Sequence, residues 1–123
     1  MIAAALLLML GVLMLGVTDV GRVLAARERA QTAADAAALA AADELALPSN
    51  GTPADAAAAQ ATANHAELAV CSCQPGDLQA VVEVVARIED LSLLPGSYEI
   101  HAKARAVVDS GSSIVTPPET PGP

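Results

Sequence analysis

The first eighteen residues, Met1 to Thr18, are apolar residues, glycines and one threonine, with no charged side chain. A helix of that length covers roughly 27 Å, which is close to the thickness of the hydrocarbon core of a bilayer. No helix-breaking signal separates this run from the charged, alanine-rich stretch that ends at Leu47. The pattern therefore predicts one long helix, in which residues 1–18 span a membrane and residues 19–47 lie in water.

Two other interpretations of the apolar run stay open at this point, a cleaved secretory signal and a buried helix of a soluble domain. A secretory signal carries basic residues ahead of its apolar part, and none precedes Ile2. Cleavage would fall near Ala25, but Asp19 and Arg22 lie between that position and the apolar run. A buried helix would need a larger domain to cover it than the rest of this chain provides.

Alanines recur at spacings of three and four residues along the second part of the long helix, and so they share one face. Small side chains let two helices approach closely, which makes this face a candidate interface with a partner helix. The high helix propensity of alanine explains the same pattern without a partner. Asp35, among these alanines, either faces solvent or makes a polar contact with a partner helix. The alanines of this seam are Ala26, Ala30, Ala33, Ala37 and Ala41.

A turn signal at residues 48–51 ends the long helix, and a second helix is predicted over residues 52–66. Thr52 is a good N-cap, Pro53 suits the first helical position, and Asp55 places negative charge in the first turn. The short connection predicts an antiparallel pair of helices. The alanines available to pack on the first helix are Ala54, Ala57, Ala58 and Ala61.

Apolar and polar residues alternate over residues 78–89 and 97–109, which is typical of half-buried strands. A shorter strand is predicted at about 68–72, joined to the next by a turn at 74–77. Glu83, Arg87 and Glu89 share the polar face with Lys103 and Arg105, so opposite charges on this face can pair across the strands. From Ser110 the chain is rich in Ser, Gly, Pro and Thr, so residues 110–123 are predicted to be a disordered tail.

Composition adds a limit on how this fold is stabilised. Tyr98 is the only aromatic residue, so the core must be lined mainly with alanine. Burial of alanine removes little apolar area from water, and we therefore expect the stability of the fold to depend on assembly with other proteins. The net charge of −8 argues against nucleic acid, whose phosphates bind clustered basic side chains. We therefore expect partners to be the membrane and other proteins, including further copies of this chain through the N-terminal helix, with no small-molecule substrate.

Few side chains of this sequence could take part in chemistry or bind a metal, and none forms a catalytic motif. Cys71 and Cys73 point to the same face of a strand, where they form a disulfide, pack as two thiols or, with more donors, bind zinc. His65 and His101 lack a neighbouring nucleophile motif and are expected to be solvated side chains. No phosphate-binding loop and no hydrolase motif occurs, so we predict no catalytic residue, metal or cofactor.

The sequence around the start of the water-exposed helix carries a family resemblance. One segment is Thr18-Asp19-Val20-Gly21-Arg22, and the next is the alanine-rich run from Arg29-Ala30-Gln31 to Ala42. Together they resemble the N-terminal region of TadE/TadG-like proteins of the Tad (Flp) pilus system. A narrower resemblance, to the small actinobacterial TadE-like branch, is carried by residues 63–68, Cys71, 81–84 and 102–106. The resemblance implies a minor pilin or a membrane-anchored assembly component, with other Tad components as partners and a C-terminal domain outside the cytoplasm.

Two features depart from what the resemblance implies. Pseudopilins of this system carry a basic leader ending in Gly and a Glu early in the mature helix, and neither is found in this sequence. Arg22, Arg27 and Arg29 follow the span, where the positive-inside rule would place them in the cytoplasm. The first departure argues against processing by a prepilin peptidase, so a minor pilin and a membrane-resident assembly component both stay open, and the second leaves the orientation in the membrane open.

The sequence therefore predicts an α+β single-pass protein with a transmembrane segment at 1–18 and an extracytoplasmic domain at 19–109. The domain contains helices at 19–47 and 52–66 and a three-stranded antiparallel sheet, and it is followed by the tail at 110–123. A structural role in a Tad pilus or secretion machine is the favoured function. The alternative is a small secreted binding protein or effector, released by cleavage near Ala25.

Overall fold

One uninterrupted helix, α1, runs from Ile2 to Ala46, as the sequence predicts. The computed structural model describes residues 1–89 and 91–109, so the predicted tail at 110–123 lies outside the described residues. Residues 2–18 are exposed, apart from Gly16, which is half-buried. Packing against the rest of the chain begins at Asp19, so α1 has a bare apolar part and a part covered by a small α+β head, residues 19–109.

The second helix, α2, runs from Pro53 to Ala63. Its N-terminus is capped as predicted, because the backbone N–H of Asp55 donates to Thr52 Oγ1 at 3.1 Å. Its C-terminus lies three residues before the predicted one, because His65 takes a left-handed backbone conformation, with a φ of 59°. The N–H of His65 donates to the Thr62 carbonyl and the N–H of Ala66 to the Ala61 carbonyl. These two bonds form a Schellman motif, in which His65 occupies the position that glycine usually fills.

The three strands form one antiparallel sheet in the order β1-β2-β3, as predicted. The strands are β1 (Glu67–Ser72), β2 (Gln79–Glu89) and β3 (Ser97–Val107). Strand β2 lies in the centre, with Val82 opposite Cys71 on one side and Ala104 on the other. A bulge between Leu68 and Val70 interrupts the pairing of β1 with β2. The even-numbered residues of β2 from 80 to 86 are buried and face the core, and its odd-numbered residues face away.

Both helices pack on one face of the sheet, α1 over β2 and β3 and α2 beside it against β1. The core between these layers consists mainly of alanines, and Val82 and Val84 are its largest fully buried side chains. On α2, Ala57 and Ala61 are fully buried and Ala58 is half-buried. Ala54 is exposed, so the expectation that it packs on α1 is wrong. It lies within the first turn of α2, next to Pro53, which is buried instead.

Candidate functional site

The alanine seam on α1 lies inside this chain. Ala30, Ala33, Ala37 and Ala41 have no exposed surface, and Ala26 is half-buried. Ala34, Ala38 and Ala42 are also buried, so the buried face is wider than the pattern of the five seam alanines. The elements that cover it are α2 and the sheet of the same chain. Contact of another chain with the same alanines would require these elements to move away, and that intermolecular role stays a prediction.

Asp35 is exposed on the outer side of α1 and holds a neighbouring side chain in place. Its Oδ1 accepts a hydrogen bond of 3.0 Å from Gln31 Nε2, one helical turn earlier. The same Nε2 atom donates to the carbonyl oxygen of Lys103 on β3 at 3.2 Å. The contact that Asp35 supports in this structure is thus between α1 and the sheet of the same chain, while its second carboxylate oxygen is available to solvent or a partner.

A second polar site lies where α1 leaves the head, and only the family resemblance had pointed to its central residue, Asp19. Asp19 is buried, with 9% of its surface exposed, although it directly follows the bare apolar part. Its Oδ1 accepts from the backbone N–H of Ser92 at 3.1 Å, and its Oδ2 from that of Leu93 at 2.9 Å. Asp19 thereby ties the connection between β2 and β3 to the end of the head that is nearest the apolar helix.

The same hydrogen bonds favour the ionised form of Asp19. The backbone N–H of Leu93 is the largest cause that lowers the pKa of this carboxyl below its ordinary value of 3.8, and burial opposes it. Ser92 and the positive charge of Arg22 lower the pKa further. Because the pKa is lower in the folded chain than in the unfolded chain, the tie stabilises the fold at pH values above 3.8. That contribution is lost as the pH falls through the lowered pKa.

Replacement of Asp19 by asparagine is expected to loosen the connection between β2 and β3 at neutral pH. The asparagine oxygen accepts one of the two N–H groups, but its NH₂ group cannot accept the other. Amide exchange at Ser92 or Leu93, measured by NMR, should become faster by about an order of magnitude. The unchanged protein should show the same effect only below pH 3.8. Asp35→Asn, on the same helix, is the matched control, and equal effects of both variants would contradict the assignment.

The two cysteines are joined in the structure as a disulfide between Cys71 and Cys73. Cys73 is buried and Cys71 half-buried, and both line a shallow depression beside Thr52 and Pro53, at the N-terminus of α2. They therefore lie at the end of the head that is farthest from Asp19. Within residues 1–89 and 91–109, no group of three or more His, Cys, Asp or Glu side chains is arranged to hold a metal ion.

A Cys71→Ser, Cys73→Ser double variant is expected to fold. A disulfide that closes a loop of only three residues restricts the unfolded chain little, and its removal should lower the free energy of unfolding by about 1–2 kcal/mol. Thermal unfolding followed by circular dichroism measures this effect. Thiol titration of the denatured, unreduced protein should find no free thiol. An unfolded double variant, or stoichiometric zinc in the purified protein, would contradict the prediction.

The two histidines lie on the surface of different elements. His65 ends α2, and His101 lies on the outer face of β3, with Nδ1 at 3.1 Å from Glu83 Oε1. Lys103 Nζ is 3.1 Å from the other oxygen of Glu83, as the predicted cross-strand pairing requires. Lys103, and then His101, lower the pKa of the Glu83 carboxyl. Arg87 pairs with Glu67 and Glu99 on the two neighbouring strands.

These features define a class of protein, namely a small α+β head carried on a long helix whose other end is an exposed apolar stretch. That helix is long enough and apolar enough to cross a membrane, by length and composition. Residues 1–44 match the family described as "Putative Flp pilus-assembly TadE/G-like", which confirms the family resemblance seen in the sequence. The narrower resemblance to an actinobacterial branch stays a prediction. Comparisons with curated proteins and with solved structures found no match.

The match ends within α1, so it includes Asp19 and the alanine seam but none of the sheet. The residues that sequence reasoning missed are Asp19 and its two donors, Ser92 and Leu93. The available signal was a single acidic residue placed directly after an uncharged apolar run. Its partners lie more than seventy residues away in a segment without periodicity, so no pattern pointed to them.

Proposed function

We propose that this chain is a membrane-anchored structural component of a Tad (Flp) type pilus or secretion machine. The observation that carries the proposal is the match of residues 1–44 to a pilus-assembly family, over a helix that is bare and apolar from Ile2 to Val17. An exposed apolar stretch of this length is stable in a bilayer or against apolar helices of other subunits, but not in water. The described residues of the head supply packing and tethering contacts, which fit an assembly role.

Retention of the apolar helix is favoured over the secreted alternative by the position of Asp19. Cleavage near Ala25 would remove Asp19, and the backbone N–H groups of Ser92 and Leu93 would lose their acceptors. It would also cut α1 within a continuous helix. The head therefore uses a residue that a released form would lack.

A membrane-resident assembly component and a minor pilin would both contact other subunits through the apolar part of α1. The seam alanines are covered by the chain's own head, so residues 2–18 offer the largest exposed apolar surface for helices of other subunits. Helices in lipid associate through close packing, and Gly11 and Gly16 leave open space on this part of α1. We place the head outside the cytoplasm, as in the family resemblance.

The test is membrane fractionation of the full chain together with isolation of its partners. The protein should stay with membranes after carbonate treatment and co-purify with other Tad components. A Leu8→Arg, Val12→Arg variant should lose both properties, because each arginine at the centre of a span costs about 2.5–3.5 kcal/mol. Leu24→Arg, on the water-exposed part of α1, is the matched control. A soluble form beginning near residue 26 would instead support the secreted alternative.

The orientation is tested by protease treatment of intact cells carrying a C-terminal tag. Loss of the tag on addition of protease outside the membrane is expected. Protection of the tag, with digestion only after the cells are opened, would place the head in the cytoplasm, as the charges of Arg22, Arg27 and Arg29 alone would favour.

A further inference from the structure

Residues 91–96 of the connection between β2 and β3 lie at the end of the head that is nearest the apolar part of α1. Its Ser92 and Leu93 N–H groups bind Asp19, the first residue of α1 that is buried. The connection between α2 and β1 lies farther from the apolar part of α1, because its residues Asn64 and His65 line the same depression as Ala25 and Arg29. Ala25 lies six residues after Asp19, which is about 9 Å along a helix. The β2–β3 connection thus extends the head toward the membrane end of α1.

This connection exposes apolar side chains although it is anchored on both sides. Leu93 is 49% exposed and Leu94 57% exposed, while Leu91 is buried. Tyr98, at the start of β3, is 39% exposed and is the only aromatic residue of the chain. Tyrosine is enriched at membrane interfaces, where its ring is apolar and its hydroxyl is wet. On α1, Val17 and Val20, which lie close to Asp19 in the sequence, are also exposed.

We propose that the β2–β3 connection is a second, shallow membrane contact, in which Leu93 and Leu94 enter the lipid interface beside α1. The inference rests on the proposed function, since it requires residues 2–18 to be in the membrane. The exposed leucines lie at or next to the backbone groups that bind Asp19, and Val17 and Val20, close to Asp19 on α1, are exposed apolar residues as well, which argues for lipid as the occupant. Two contacts, one spanning and one shallow, hold the head at a fixed tilt and rotation over the membrane surface.

Single tryptophans test this placement, because the chain contains none. The full chain is reconstituted in vesicles of phosphatidylcholine, with or without bromine on the acyl chains as a quencher. Leu94→Trp places the probe in the proposed contact, and Leu8→Trp reports on the span itself. Leu78→Trp is the matched control, because Leu78 is 70% exposed just before β2, at the opposite end of that strand. All three leucines are exposed, so the substitutions leave the core unchanged.

The expected result is that Leu94→Trp has blue-shifted emission and loses most of it in brominated vesicles, as Leu8→Trp does, while Leu78→Trp is unaffected. Quenching of Leu8→Trp without quenching of Leu94→Trp overturns the shallow contact and leaves the span intact. Blue-shifted emission of Leu94→Trp that brominated lipid does not quench shows that a second protein copy covers the loop, which also overturns it. If Leu8→Trp is not quenched, the proposed membrane anchor itself fails.

Discussion

Replacement of Ala33 and Ala37 by leucine is expected to detach α2 and the sheet from α1 while leaving α1 helical. Both alanines have no exposed surface and lie in the contact between α1 and the rest of the head. Overpacking typically costs about 1–3 kcal/mol per site, so the pair should cost about 2–6 kcal/mol. A head of this size has a free energy of unfolding of roughly 5–14 kcal/mol, and an alanine-lined core places it low in that range. Leucine is nearly as good a helix former as alanine, so α1 itself is little affected.

Thermal unfolding by circular dichroism and amide exchange of β2 measure the loss of the head, with the chain in detergent micelles. The matched control is Ala54→Leu with Ala59→Leu, which adds the same atoms at two exposed positions of α2. The control should melt like the unchanged protein. If the seam variant keeps its melting temperature and also its Tad partners, close packing at these alanines is not required. If it keeps its melting temperature but loses its partners, the seam acts between chains.

Truncation of Val82 and Val84 to alanine is expected to produce the second large loss of stability. Among the described residues these are the largest fully buried side chains, and they lie in the central strand. Each substitution removes two methyl groups from a core of small residues and leaves a cavity. At about 0.8 kcal/mol per methyl group plus a cavity contribution, each site should lose about 2 kcal/mol. The double variant should therefore lose about 4 kcal/mol, which lowers the melting temperature by about 15 °C or more.

A Val70→Ala, Val107→Ala variant provides the matched control for the truncation. It removes the same number of methyl groups from the same sheet, at positions that are 52% and 69% exposed. Its melting temperature should stay within a few degrees of that of the unchanged protein, because little of the deleted area was buried. Equal losses in the two double variants would show that strand propensity, and not burial in the core, decides the effect.

The periodicity of the chain was enough to predict the elements of the fold. Residues 1–47 combine an uncharged run with alanines at helical spacing, and the structure shows α1 from Ile2 to Ala46. The alternation around Val82 and Val84 predicted both long strands and the side of each that faces the core. The end of α2 was misplaced, because a Schellman motif with His65 in the glycine position leaves no composition signal.

The candidate site was less accessible to sequence reasoning. Spacing identified Cys71 and Cys73 as neighbours on one face of a strand, but left a disulfide, packed thiols and zinc open until the structure joined them. The seam alanines were recognised as a contact surface without any indication of whether the chain itself or a partner would cover them. Residue periodicity tells which side of an element is apolar and does not tell what lies against it.

Local sequence patterns were sufficient to predict the membrane-length apolar run, the helices, the strands and the family resemblance, because each of these depends on residues that are close together in the chain. The packing of the folded chain was needed to show that Ala33 and Ala37 contact this chain's own head, and that Asp19 accepts hydrogen bonds from the N–H groups of Ser92 and Leu93. The two kinds of interaction differ in how far apart along the chain their residues lie. Helix and strand formation depend on neighbours a few residues apart, whereas the Asp19 contacts join positions 73 and 74 residues apart. Their formation depends on how the whole head packs against α1.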